Sequence, residues 1–390
     1  MSELSDEKIV STRSWLVHMP FTSAISWASG ERSGTTRVIV EIETEGGTKG
    51  YGESISLLNF VPTVLTKVVL PAMIGWSVFD TEGFFRLILG SGYYHHKRAA
   101  VMATSAAEMA MWDAIGKISC QPLYRLFGGA YRKKIEMVCY LFISDPLEVA
   151  KAAKAAYAEG YRSFKLKVGL NEVQDIAIVR AVREALGDGV HIRADVNSAW
   201  TIGTAKRQLE KLRPYDLAYI EQPLELDDLT GHHQLRIGQP TPVALDESAY
   251  TLADVANILK AEAADVLLLD PQEQGGLSAT RKCAALAEAW NMQVGLHSGG
   301  ELGLAQAAYL HLAASCQPMS LAIDTELPYL SGDIITEQFK IENGHLPLPE
   351  ASGLGVEVDL DAIARYEVDH VPPAYLDANR RGWFSTKPAY

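Results

Sequence analysis

FKLKVG (164–169) decides the fold. Phe164, Leu166 and Val168 fall on one face and Lys165 and Lys167 on the other, which is the two-residue period of a β-strand. In a closed parallel barrel the apolar face meets the outer helices and the lysines point inward. Two ammonium groups inside a barrel are costly unless anions face them, so the pair implies a negatively charged ligand. Outward from this stretch the pattern repeats. MVCYLF (137–142) reads as the strand before it, and HIRAD (191–195), LAYIE (217–221), PVALD (242–246), DVLLLD (265–270), MQVGLH (292–297) and SLAIDT (320–325) as those after. Each strand is followed by a helical or turn stretch.

The strand ends carry chemistry. After Lys165 and Lys167 come Asp195, Glu221, Asp246 with Glu247, Asp270, His297 and Glu326, in steps of 28, 26, 25, 24, 27 and 29 residues from Lys167. One strand, one helix and two short loops need that length, and strand ends of such a barrel converge on the mouth that holds the active site. An enzyme of the α/β class is expected.

The first 130 or so residues read differently. RVIVEIET (37–44) alternates, Gly46-Gly47 turns the chain, and TKGYGES (48–54) completes a hairpin. An earlier strand is expected over Ile9–Val17, and three helical stretches follow, the longest from Lys97 to Lys117. The expected domains are an α+β cap over 1–132, a barrel over 133–345, and a segment over 346–390 that returns to the cap. LGVEVDLDAIARY (354–366) reads as strand and helix, and the last twenty residues as an irregular strap.

Composition narrows the function. With 48% hydrophobic and 21% charged residues this is an ordinary globular chain, and a net charge of −13 argues against a nucleic-acid or anionic-membrane binder. Cys120, Cys139, Cys283 and Cys316 are scattered without a CxxC pair, favouring free thiols in a cytoplasmic enzyme over disulfides or zinc. No secretory h-region and no membrane-length apolar run is visible.

Asp195, Glu221 and Asp246 or Glu247 form an all-oxygen set that suits one Mg²⁺ ion. Without a cation they repel one another; the competing reading pairs them with the barrel lysines. Asn197 is placed to orient a ligand or touch substrate. Lys167 is the candidate base, because a second ammonium and a divalent cation beside it favour release of its proton. Lys165 would then bind the substrate carboxylate. His297 is the second candidate, with Asp270 at the preceding strand end to hold its other nitrogen. Glu326 would donate a hydrogen bond to a developing enolate, its alternative being a salt bridge. Together these groups describe removal of the proton α to a carboxylate, through an enediolate held electrostatically.

MWDAIGK (111–117), the lysine pair, the three carboxylates, LDPQEQGG (269–276) and His297 jointly resemble the enolase superfamily, specifically its mandelate racemase/muconate lactonizing enzyme group. The resemblance implies a modified TIM barrel, (β/α)7β, under an N-terminal α+β capping domain, and a homo-oligomer. The signature is mixed. Asp270 stands where the lactonizing pattern has a second lysine and matches the mandelate racemase dyad with His297. VALDES (243–248) and DTELPYLSGD (324–333) look like the lactonizing group, in which the Asp binds metal, so Asp246 is favoured over Glu247 as third ligand.

Specificity in that family resembles a function of cap loops. Pro20–Ser33, with Phe21, Ile25 and Trp27, and the stretch 54–61 read as mainly apolar loops, and the end of the first strand at Tyr140 is likewise apolar. Trp27 and Tyr140 are therefore candidate substrate contacts, and the substrate a small carboxylate less hydroxylated than a sugar acid. His95, His96 and Lys97 form a basic cluster. The expected reaction is racemisation or epimerisation with Lys167 and His297 on opposite faces. Alternatives are a dehydratase of acid sugars or hydroxy acids, a cycloisomerase, and a non-catalytic metal-binding relative.

Overall fold

β1 (Ile9–Trp27) pairs antiparallel with β2 (Gly30–Thr44), and β2 with β3 (Lys49–Ile55), in the computed structural model, which describes residues 6–56, 59–92, 95 and 97–372. RVIVEIET lies in β2, yet Val38, Ile39, Val40 and Ile42 are all buried, so both of its faces are covered. β1 is longer than expected. The stretch Pro20–Ser33, read as a loop, is the far end of the β1–β2 hairpin, with Ile25 opposite Arg32 and Trp27 opposite Gly30 beyond a register shift at Pro20/Ile25. Burying Ile25 over the barrel favours this ordered extension over a free loop. Leu57 and Leu58 of the second expected loop, His96, and the tail from residue 373 lie outside the described residues.

Helix Lys97–Ile118 is apolar on nearly every side because β3 covers one face and the barrel loops another. β3 approaches it through glycines: a Cβ at Gly52 would sit 2.0 Å from the Ala106 carbonyl oxygen. MWDAIGK also acts as a staple. Asp113 accepts hydrogen bonds from the backbone of Tyr51 (2.9 Å) and Leu354 (2.8 Å) and from Lys117 Nζ (2.7 Å), which ties sheet, helix and C-terminal segment together.

After the short β4 (Lys134–Glu136) come seven parallel strands: β5 (Val138–Leu141), β6 (Ser163–Lys167), β7 (His191–Asp195), β8 (Tyr219–Glu221), β9 (Val243–Leu245), β10 (Val266–Leu269) and β11 (Gln293–Leu296), neighbours in that order. Residues 320–326 close the ring. Their backbone bonds β5 through Val138 N to Ile323 O (2.9 Å) and β11 through Asp324 N to Leu296 O (3.0 Å). The eighth wall is thus made by isolated bonds, and the fold is the modified (β/α)7β barrel with an α+β cap. β12 (His345–Pro347) pairs with β4, and the helix Leu360–Tyr366 packs on β1. Among the described residues no helix is long and apolar enough to cross a membrane.

Register places the functional side chains. Lys167 is opposite Asp195, Asp195 opposite Glu221, and Glu221 opposite Ala244. Three strand-end groups therefore stand abreast, and Asp246 follows β9 by one residue.

Candidate active site at the barrel mouth

Charged residues fill the upper barrel. Lys165 is fully buried, with Nζ 2.7 Å from Asp324 Oδ2, 3.1 Å from Asp195 Oδ2, and bonded to Glu221 Oε1. Burial alone would lower its pKa, but the Asp195, Asp324 and Glu221 carboxylates outweigh it and hold the ammonium well above the ordinary value. Below it Arg193 bonds Tyr219 OH at 2.5 Å and Asp324 Oδ1 at 3.3 Å. Asp324 was not among the expected residues. Its signal was present, since it lies two residues before Glu326 on an alternating strand.

Lys167 is placed differently. Its Nζ lies 2.5 Å from Asp195 Oδ2 and 3.2 Å from Asn197 Oδ1, and its side chain retains 7% exposure. Asn197 is left-handed, φ 47°, a conformation costly outside glycine. It gives its backbone N–H to Asp195 Oδ1 (2.9 Å) and its side-chain amide to Glu247 Oε1 (3.1 Å). Tyr140 stands behind both lysines, its ring 4.9 and 5.2 Å from their Nζ atoms.

The carboxylates fit a divalent cation. Glu221 Oε2, Asp246 Oδ1 and Glu247 Oε2 are buried without a hydrogen-bond partner, and orphaned acceptors of this kind are expensive without compensation. Burial, with Asp195 beside it, pushes Glu221 up to about 8, and burial holds Asp246 well above its ordinary value. A cation would relieve both, as Asp195 is already held low by Lys165 and Lys167 against the effect of burial. Among the described residues, the His/Cys/Asp/Glu group whose ligand atoms converge within 4.8 Å is Asp246, Glu273 and His297. That trio differs from the one expected, because Asp195 Oδ2 and Glu221 Oε1 are drawn onto the lysines. The orphaned oxygens belong to Glu221, Asp246 and Glu247, whereas both oxygens of Asp195 are already bonded.

His297 follows β11. Its Nδ1 lies 3.4 Å from Asp270 Oδ2 and its Nε2 3.4 Å from Asp246 Oδ2. Burial lowers its pKa, but Asp246 and Asp270 reverse this and leave it well above the ordinary value. Asp270 caps the short helix Pro271–Gln274, accepting from Gln272 N at 2.8 Å.

A cavity of about 150 Å³ opens over these groups. Lys167, Asn197, Asp246 and His297 line it from the barrel, with Glu247, Glu273 and Glu326; Ile25, Trp27, Arg32 and Ile55 line it from the cap. Lys165, Asp195, Glu221, Asp270 and Tyr140 are buried and do not line it, so the substrate contacts expected of Lys165 and Tyr140 are not formed by its wall. Glu326 pairs with Arg32 at 2.6 Å, bridging barrel and hairpin, and the Arg32 guanidinium is 5.3 Å from the Phe21 ring and 5.6 Å from that of Trp27. The wall is more polar than the mainly apolar pocket expected, because Glu273 and Arg32 were not counted. Lys97 turns away and bonds Asp254 at 3.1 Å.

Residues 7–128 match the family described as mandelate racemase/muconate lactonizing enzyme, N-terminal domain, and residues 148–362 the one described as enolase C-terminal domain-like. N-succinyl-L-Arg/Lys racemase of Bacillus cereus is 28% identical over 93% of this chain and 98% of its own length. A probable glucarate dehydratase of Streptomyces coelicolor is 29% identical, over 85% of this chain and 84% of its own. The crystal structure of an enolase from Thermobispora bispora, complexed with magnesium and formate, superposes with a TM-score of 0.85 at 27% identity, covering 92% of each chain.

Proposed function

Because the chain belongs to the mandelate racemase/muconate lactonizing enzyme family of the enolase superfamily, we propose that it is a Mg²⁺-dependent racemase or epimerase that removes the proton α to a small substrate's carboxylate. One observation carries this reading: Lys167 from β6 and His297 from beyond β11 reach the same small cavity, beside Asp246. Asp195, Glu221 and Asp246 would hold the ion, which supplies positive charge that neutralises the carboxylate and its enediolate form.

The chain's own residues do the rest. Lys165, locked among three carboxylates, is a fixed cation under the floor. Lys167 Nζ, held by Asp195 and Asn197, takes or returns the proton on one face. His297 serves the opposite face through Nε2, while Asp270 holds Nδ1. Arg32 and Glu326 span the opening, and Trp27 and Ile55 shield it from water.

A second reading is a dehydratase of a hydroxylated acid, with His297 protonating a departing β-hydroxyl. Asn197, Glu247 and Glu273 in the wall favour it, since each offers hydrogen-bond partners for hydroxyl groups. Incubating the protein with Mg²⁺ and a panel of carboxylic acids in D₂O separates the two. Racemisation gives α-deuteration with loss of optical activity; dehydration also yields a 2-keto acid trapped by semicarbazide. A panel of amino-, acyl-amino-, hydroxy- and sugar acids giving neither α-exchange nor a 2-keto acid would contradict both.

A further inference from the structure

Behind His297 lies a buried chain of polar groups that reaches back into the cap. Arg37, on β2, is fully buried. Its Nε bonds Glu53 Oε1 on β3 at 2.7 Å, its Nη1 the Gly299 carbonyl at 3.1 Å, and its Nη2 the Gln272 Oε1. Gln272 Nε2 is 2.6 Å from Tyr309 OH, and Tyr309 OH is 2.5 Å from Asp270 Oδ1. Gln272, Tyr309 and Asp270 are each at most 1% exposed.

The donor inventory fixes the direction of every bond. A guanidinium only donates, so the Gln272 carbonyl oxygen must face Arg37 and its NH₂ must face Tyr309. The phenol oxygen accepts there and sends its single proton to Asp270 Oδ1. Glu301 Oε1, the competing acceptor, is 3.5 Å from the phenol and already takes bonds from Gly299 N at 2.6 Å and Gln272 Nε2 at 3.4 Å. Burial together with Asp270 and Glu301 keeps the phenol protonated. Asp270 Oδ1 thus receives Tyr309 and Gln272 N (2.8 Å), leaving Oδ2 for the imidazole.

We propose that Arg37, Gln272 and Tyr309 form a one-way donor relay that locks the Asp270 carboxylate, with Tyr309 a positioning residue that keeps the His297 proton on Nδ1 and leaves Nε2 facing the cavity. Because the relay starts on a cap strand, seating the cap on the barrel sets the histidine's tautomer. This rests on His297 being the second base of the proposed function.

The test reads the tautomer without any substrate. Protein labelled with ¹⁵N at histidine is examined by NMR with saturating Mg²⁺, at a pH alkaline enough for the ring to be neutral, and His297→Asn identifies the resonance. Wild type should show a single Nδ1–H form. Tyr309→Phe, which keeps the ring and removes the donor, and Gln272→Met, which breaks the relay one step earlier, should each give averaged nitrogen shifts of a tautomer mixture. Either variant suffices if the other fails to fold. A folded variant that retains the single Nδ1–H form, or a wild type protonated on Nε2, would overturn the relay. A wild type that exchanges no α-proton on the acid panel would instead sink the proposed function, and the NMR result would still decide the relay.

Discussion

Lys165 and Lys167 sit two residues apart on one strand face, yet their surroundings assign them different work. Three carboxylates enclose Lys165, whereas Lys167 has Asp195 and Asn197 and reaches the cavity. Lys167→Ala and His297→Asn should each lower turnover by about 10²–10⁴-fold or more, the range for a positioned acid–base group, with Mg²⁺ affinity by calorimetry little changed. Activity within a few-fold of wild type in either variant would remove it from the mechanism. Asp195→Asn should weaken Mg²⁺ by at least the roughly 10–100-fold that even an outer-shell change costs; undiminished affinity would exclude Asp195 as a ligand. The strand-end residues were legible because a period of two and the βα spacing place them independently of tertiary detail. Arg37 was not, since in RVIVEIET it occupies the position of a solvent-facing charge. Tyr309 was hidden because it lies in a helix, Gly303–Ser315, that is apolar along its length.

At the scale of elements, one contact packs the cap on itself and another ties it to the barrel. Where β3 crosses helix Lys97–Ile118, Gly52→Ala would drive a methyl into the Ala106 carbonyl and should cost about 1–3 kcal/mol as overpacking does, read as a lower urea midpoint; an unchanged midpoint would mean the sheet can lift away. In helix Gly303–Ser315, His311 Nδ1 accepts from Tyr124 N (3.4 Å) and its Nε2 donates to Leu354 O (3.0 Å). Burial lowers its pKa from 6.5 to about 4, partly opposed by the Leu354 bond. The unfolded chain therefore binds more protons between these values, and stability is lost as pH falls from 6.5 towards 4. The slope is about 1.4 kcal/mol per pH unit for one such group. Wild type should lose urea resistance over that window more steeply than His311→Gln, whereas parallel profiles would exclude His311 as the cause. The hairpin end was misread at this scale because the Ser- and Gly-containing stretch 20–33 carries loop composition, while the pairing partner that makes it a strand is only visible in register.

For the whole molecule, the sequence rhythm was enough to set the barrel and the convergence of its strand ends, because topology dictates both. The pocket's polarity was not, since Glu273 and Arg32 reach the wall from a short helix and a hairpin whose placement depends on how cap meets barrel. The proposed reaction therefore needs two groups from distant strands acting on one carbon beside a carboxylate-held cation. Enantiomer-resolved α-proton exchange in D₂O, on an acid from the panel that exchanges, tests this directly. Wild type should exchange both enantiomers and stop when EDTA removes Mg²⁺, Lys167→Ala should keep exchange of one enantiomer only, and His297→Asn that of the other. Exchange undiminished by EDTA, or both enantiomers still exchanging in either variant, would contradict it.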